Sequence, residues 1–247
     1  MIISVVNKKG GTGKTTSSIN IGKCLTLQNK KVLLIDLDAQ GNLSYSLGIN
    51  PEECLLGKAL FEGEISEDKI FEREEMDIVP SNNDLVNYEF DFIQQKYSYT
   101  TVKDTLDSVS ENYDFVIIDC PPSGGFLTIN ALIASDAVLI PMQLDVLSLQ
   151  GLEQILQTIE EIKSDYNPSL YVLGVLGVLV DERRQLTYDV LEHITNNYGV
   201  NIFNNYIRQN VRAAEAPSHG VSVIEYSPNS NSAKDYLSVT NEMLQIV

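Results

Sequence analysis

The chain has 247 residues, 43% of them apolar and 21% charged, proportions ordinary for a folded globular protein and ample for an extensive core. No apolar stretch approaches the length of a membrane-spanning helix, and the first residues run directly into a strand pattern, so neither a membrane span nor a secretory signal is expected. A formal net charge of −17 argues against a uniformly DNA-coating surface, and Cys24, Cys54 and Cys120, odd in number with no C-x-x-C, argue against a disulfide framework or zinc site, so a cytosolic protein is expected.

Residues 2–6 read as a buried strand and 15–29 as a helix, with Asn7-Lys8-Lys9-Gly10-Gly11-Thr12-Gly13-Lys14-Thr15-Thr16 across the junction. A glycine-rich turn between strand and helix lets successive backbone N–H groups converge with no Cβ in the way. The helix start adds a partial positive charge, and the two together make a phosphate cradle. Lys14 can then reach the outer phosphates, and the Thr15 hydroxyl can sit on Mg²⁺. The ordinary spacing G-x-x-x-x-G-K-[ST] is not met, because Lys8 stands where its first glycine belongs. A second lysine, Lys9, stands at the mouth of the loop instead.

Residues 31–35 form a second apolar strand, which leads into Asp36-Leu37-Asp38-Ala39-Gln40-Gly41-Asn42. Two carboxylates separated by one residue cannot both point into the sheet, so at least one faces a ligand crevice. Residues 52–77 hold ten acidic side chains against Lys58, Lys69 and Arg73. That run reads either as a solvated helical face or as a docking surface for a basic partner segment. Short strands at 77–80 and 115–118 follow, the second ending at Asp119 before Cys120-Pro121-Pro122-Ser123-Gly124-Gly125. An aspartate at the end of a buried strand needs a cation. Mg²⁺ held through water supplies one, unless the residue merely caps the turn made by Pro121-Pro122.

A strand is expected at 137–141 and a helix over 148–163, with Leu149, Leu152, Leu156, Ile159 and Ile162 on one face and a stop at Asn167-Pro168. Beyond it come a long strand over Tyr171–Val180, a helix over 186–198, a strand over 201–207 and a helix over 233–246. Strand–helix alternation of this kind implies an α/β fold, a mostly parallel twisted sheet with helices on both faces, as one domain over 1–247. Ligands in such folds bind at the carboxyl ends of the strands. Six Lys/Arg occur after residue 150, and four of them fall in Arg183-Arg184 and Arg208…Arg212.

Lys9-Gly-Gly-Thr-Gly-Lys14-Thr-Thr resembles the deviant Walker A motif of the ParA/MinD P-loop ATPases. Asp38 with Gln40-Gly41-Asn42 is similar to that family's D-x-D-P-Q-G-N segment, and Asp119-Cys120-Pro121-Pro122-Ser123 to its Walker B strand and switch. Residues 210–220 resemble the segment that runs close to adenine and DNA in Soj-type proteins. Ala39 departs from a usual proline, Thr12 from a common valine, and Arg208-Gln209 from a usual Pro-Arg.

The resemblance implies ATP and Mg²⁺, with Lys9, Gly10, Gly11, Thr12, Gly13, Lys14, Thr15, Thr16, Gly125 and Asn210 on the nucleotide, and Thr15, Asp38 and Asp119 around the metal. It also implies three catalytic roles. Lys9 would reach across an ATP-dependent homodimer to the other subunit's nucleotide, Lys14 would hold the phosphates, and Asp38 would position the attacking water. Arg183 and Arg212 align with arginines that hold DNA phosphates; the other reading is ion pairing with Asp181, Glu182 or Glu215. If the patch neutralises roughly four to six phosphates, log affinity falls with log salt at a slope of about −4 to −5. The implied partners are non-specific DNA and a ParB-like centromere-binding protein, with no membrane, in a cytoplasmic protein that joins the nucleoid when ATP-bound.

Rival functions share this core. A MinD-like membrane-cycling regulator needs a basic amphipathic tail, whereas Lys234 is the sole cation in 233–247. A nitrogenase iron-protein-like reductase needs paired cluster cysteines, and Cys120 has no evident companion. A ParA-like positioning ATPase for another cargo shares every feature above.

Overall fold

The computed structural model describes residues 1–95 and 98–247. Its strands are β1 (Ile2–Val5), β2 (Val32–Asp36), β3 (Phe71–Arg73), β4 (Met76–Val79), β5 (Phe115–Asp119), β6 (Ala137–Gln143), β7 (Tyr171–Val180) and β8 (Ile207–Arg208). The early helices are α1 (Lys14–Thr26), α2 (Asn42–Ser46), α3 (Leu55–Glu62), α4 (Leu85–Gln94), α5 (Thr101–Leu106) and α6 (Phe126–Ala134). Later come α7 (Val146–Asp165), α8 (Gln185–Asn197), α9 (Val211–Glu215), α10 (Val223–Tyr226) and α11 (Asn231–Ile246). Among the described residues the strands form one sheet in the order β3-β4-β2-β5-β1-β6-β7-β8. Every pairing is parallel except β3 with β4.

Side-chain alternation along the strands builds a core on each face. Val32 and Leu34 of β2, with Phe115 and Ile117 of β5, pack among residues of α1, α10 and α11. Leu33, Ile35, Val116 and Ile118 point the other way, to α3, α4, α6 and α7. Two covered faces explain why these strands read as unbroken apolar runs. Pro141 sits inside β6 without breaking it. Its carbonyl points to Asn7 Nδ2, so the missing N–H also faces the side where β1 has already ended.

The structure corrects the expected boundaries. The first helix stops near Leu27 rather than Asn29, because Asn29 takes φ 58°, the left-handed region that ends helices. The expected strand at 201–207 is mostly absent: Ile202 makes an isolated bridge to Val175, and ladder pairing is confined to Ile207–Arg208. The reason lies in Glu242 on α11. Its carboxylate accepts hydrogen bonds from the backbone N–H groups of Asn204 and Asn205 at 2.7 and 2.9 Å, and from both their side-chain amides. Those donors are thereby taken from the sheet.

Periodicity does not signal β3, which forms a hairpin with β4 around Glu74 and Glu75, at φ 51° and 64°. Positive φ at both turn residues is the type I′ geometry usually supplied by Asn-Gly. Buried Lys23 of α1 holds the turn, donating to the Glu74 carbonyl at 3.3 Å and the Glu75 carboxylate at 3.1 Å, and pairing with Glu225 at 2.9 Å. Lys69 pairs with Glu62 at 2.6 Å and Lys58 with Glu53, so the acidic run at 52–77 is partly neutralised from within.

Candidate functional site

Between β1 and α1 the chain turns sharply, and two positions need glycine: Gly11 and Gly13 stand at φ 72° and 71°. Side chains brace the loop from outside. Asn7 Nδ2 donates to the Pro141 carbonyl at 2.7 Å while its Oδ1 accepts from the Lys9 N–H at 2.9 Å. Gln143 Nε2 donates to the Gly11 carbonyl at 3.2 Å, and the Thr12 hydroxyl to the Lys9 carbonyl at 3.2 Å. α1 begins with no side-chain cap and no acidic residue in its first turn, so its leading N–H groups are left for an anion.

Residues 10–16 line a cavity of about 360 Å³ together with Asp38, Gln40, Asn42 and Pro122. Lys14 is buried there, its Nζ 3.4 Å from the Lys9 carbonyl. Burial lowers its pKa against the opposing pull of Asp119 and Asp38. The Thr15 hydroxyl donates to Asp119 at 2.7 Å, and that of Ser18 donates to the other oxygen at 3.2 Å. Asp119 and Asp36 are in register on adjacent strands β5 and β2, both fully buried. Burial and then the neighbouring Asp36 charge push Asp119 up to about 8, while burial takes Asp36 up to about 7 despite hydrogen bonds from Ser44.

The pair at 36 and 38 divides because β2 ends at Asp36 and Asp38 lies in the loop beyond it. Asp36 accepts from the Ser44 N–H and hydroxyl at 2.9 and 2.6 Å, anchoring α2, whereas Asp38 faces the cavity and accepts from the Gln40 N–H at 3.0 Å. A magnesium ion fits the donor chemistry, since hydroxyl and carboxylate oxygens are hard ligands and burial makes Asp36 and Asp119 costly to ionise without a further cation beside Lys14. No group of three or more His, Cys, Asp or Glu converges on a metal position among the described residues.

A second cavity, about 210 Å³, shares Gly11, Gly13 and Thr16 with the first. Val178, Leu179, Ile207, Ala213 and Tyr236 make its apolar wall, and Arg208 and Asn210 stand at its polar side. A phosphate cradle continuing into an apolar slot is the shape of a nucleotide site.

Residues 1–172 match the family model described as an AAA domain. The chain is 39% identical over 246 residues to the sporulation initiation inhibitor protein Soj of Bacillus subtilis, covering 98% of this chain and 97% of that one. It is 36% identical over 243 residues to the chromosome-partitioning ATPase Soj of Treponema pallidum, covering 97% and 95%. The chain belongs to the Soj/ParA family of partition ATPases. Cobyrinic acid a,c-diamide synthase from Mycobacterium smegmatis, solved with bound ADP and magnesium, matches with a TM-score of 0.86 at 31% identity, covering 99% and 94%. No helix among the described residues is long and apolar enough to cross a membrane.

Not every site residue of this partition ATPase converges on the cavity. Lys9 turns aside, its Nζ 3.2 Å from Asp145 and 3.5 Å from the Ser148 hydroxyl. Asp145 is the N-cap of α7, accepting from the Ser148 N–H at 2.7 Å. Gly125 caps α6 outside the cavity lining, and Pro122 represents that loop at the wall. Asn210 caps α9, its Oδ1 accepting from the Arg212 N–H at 2.8 Å, which leaves its amide N–H₂ for the slot. Arg183 is held by Asp181 at 2.8 and 2.9 Å, and Arg212 by Glu215 at 2.8 Å, so the ion-paired arrangement is the one adopted.

Sequence reasoning misses Ser18, Asp145 and Tyr236. Ser18 was within reach, lying one helical turn after Lys14 and Thr15 on a helix already identified. Asp145 and Tyr236 carry no local sign, because they meet the loop only through the sheet and α11.

Proposed function

We propose that the chain is a Mg²⁺-dependent ATPase that dimerises around ATP, holds non-specific DNA in that state, and lets go when a ParB-like partner stimulates hydrolysis. The observation that carries this reading is the gathering of Lys14, Thr15 and Asp38 at one cavity, with buried Asp119 hydrogen-bonded behind Thr15 and the Lys9 ammonium turned to Asp145. In phosphoryl transfer, positioning and charge neutralisation supply nearly all the catalysis. Backbone N–H groups of residues 11–14 and the Lys14 ammonium bind the β- and γ-phosphates. Thr15, with Asp119 and Asp38 close by, would hold Mg²⁺, which would supply charge neutralisation for the phosphates. Asp38 accepts a proton-side hydrogen bond from the attacking water and fixes its line of approach.

Lys9 of the second subunit adds positive charge where it accumulates in the transition state, as an arginine finger does. Gly125, at the start of α6 outside the cavity lining, would offer its N–H to the γ-phosphate on an inward shift of its loop and report the loss of that group through α6. Arg183 and Arg212, doubled in the dimer, hold DNA phosphates without reading bases, which would associate the ATP form with the nucleoid.

Three variants separate these roles. Lys14→Ala should abolish ATP binding, read by calorimetry. Lys9→Ala should bind ATP but stay monomeric in sedimentation. Asp38→Ala should give a long-lived ATP dimer that releases no phosphate. Dimerisation and hydrolysis by Lys9→Ala at the parental rate would refute the trans-lysine role. DNA retention unchanged by Arg183→Glu with Arg212→Glu would remove that patch.

A further inference from the structure

Four guanidinium groups lie along the edge that carries the proposed DNA patch, and each faces a carboxylate of the same chain. Arg208 is locked to Asp235 by hydrogen bonds from Nε and Nη2 at 2.5–3.2 Å, and its own N–H adds another at 3.0 Å. Arg212 pairs with Glu215, which also accepts from the Tyr226 hydroxyl at 3.2 Å. Asp181 alone serves two cations. It takes Arg183 Nε at 2.8 Å and Nη2 at 2.9 Å, and Arg184 Nε lies 3.6 Å away.

Asp181 cannot easily swing aside. Its carbonyl accepts from the Arg184 N–H at 3.1 Å and the Thr187 hydroxyl at 3.3 Å, and its carboxylate from the Arg183 N–H at 3.2 Å. These bonds fix the β7–α8 turn around it. The arginine side chains face outward instead, 89% exposed for Arg183 and 73% for Arg184. A guanidinium carries five N–H bonds, and the fork onto Asp181 uses two of them. Arg183 can therefore donate to a phosphate while still paired. What the pairing removes is net charge. A carboxylate this close lies within the roughly 8 Å Debye length of physiological salt, so an approaching polyanion feels it too.

We infer that Asp181 sets the strength with which this edge holds a phosphate backbone, giving a patch that can form bonds to DNA yet attracts it weakly. The inference rests on the DNA-binding reading above and adds to it a residue that limits affinity. Hydrogen bonds from Arg183 pull the Asp181 carboxyl down to about 2, so the counter-charge is present throughout the physiological range.

The test is retention of a random-sequence DNA duplex by the full chain with Mg²⁺ and a non-hydrolysable ATP analogue, across a salt series. Asp181→Asn keeps an oxygen to accept from the Arg183 N–H and Nε but removes one negative charge per protomer. Each further phosphate neutralised steepens the slope of log affinity against log salt by about 0.9, so a dimer in which each freed arginine neutralises one more gains about 1.8. The expected result is tighter retention with that steeper slope, and return to parental values in Asp181→Glu. A purely structural role for Asp181 would leave the slope unmoved or weaken binding, and either outcome overturns the inference while the DNA reading stands. Absence of DNA retention by both parent and Asp181→Asn at low salt sinks the DNA reading, and the inference with it.

Discussion

Freeing Lys9 from its own chain should make the dimer tighter, and Asp145→Asn does this with little other damage. The ammonium group lies 3.2 Å from Asp145, with side-chain exposures of 41% and 35%. Burial opposes ionisation of Asp145, but hydrogen bonds from Ser148 and Lys9 outweigh it and hold the carboxyl below its usual range. The carboxylate is therefore charged at neutral pH. A half-exposed pair of this kind contributes about 0.2–1 kcal/mol. A symmetric dimer must break two of them, which amounts to about 0.4–2 kcal/mol, or roughly 2- to 30-fold in its dissociation constant. Asparagine caps a helix about as well as aspartate, so α7 keeps its N-terminus. Sedimentation equilibrium with a non-hydrolysable ATP analogue reads the constant directly. A dimer no tighter than the parent's, with unchanged thermal stability, would show that Asp145 does not compete for Lys9.

Other consequences are open to measurement. Asp36 and Asp119, raised to about 7 and about 8, keep protons in the folded chain that the unfolded chain releases near pH 4. Their stabilisation is complete below about pH 4 and disappears as pH climbs through 7 and 8. In chelator the Tm should fall between pH 6 and 8, and Mg²⁺ with ATP should flatten that decline; a Tm that rises over the interval contradicts it. Gly13→Ala places a Cβ at φ 71°, a cost of about 1–2 kcal/mol, and should weaken ATP binding at unchanged secondary structure by circular dichroism. Phe92→Ala empties a fully buried position on α4 and should lower stability in urea by about 3–5 kcal/mol, with ATP affinity nearly intact because the cavity lies elsewhere.

What the sequence discloses and what it hides follow from the range of the interactions. The phosphate loop is legible because its geometry is made by neighbours: glycines at positive φ, a lysine and a threonine at the helix start. Asp119 is legible because a charge ending an apolar strand is anomalous by itself. The segment 201–207 looks like a strand and mostly is not, since Glu242 takes its donors from a helix some forty residues on. The β3–β4 turn escapes notice because two glutamates occupy positions that Asn-Gly would advertise, and Lys23 on α1 makes that possible. Arg183 and Arg212 are legible as cations, while the local identity of their counter-ions was open until Asp181 and Glu215 proved to be the acceptors.

The Ser44 hydroxyl has two duties, donating to Asp36 at 2.6 Å and accepting from the Ser81 N–H at 3.1 Å. It thus rivets the start of α2 to the end of β2 on one side and to the segment after β4 on the other. The loop between, which carries Asp38, is moored at both ends. Little reorganisation of that loop is then left for the moment of reaction, which suits the role proposed for the Asp38 carboxylate.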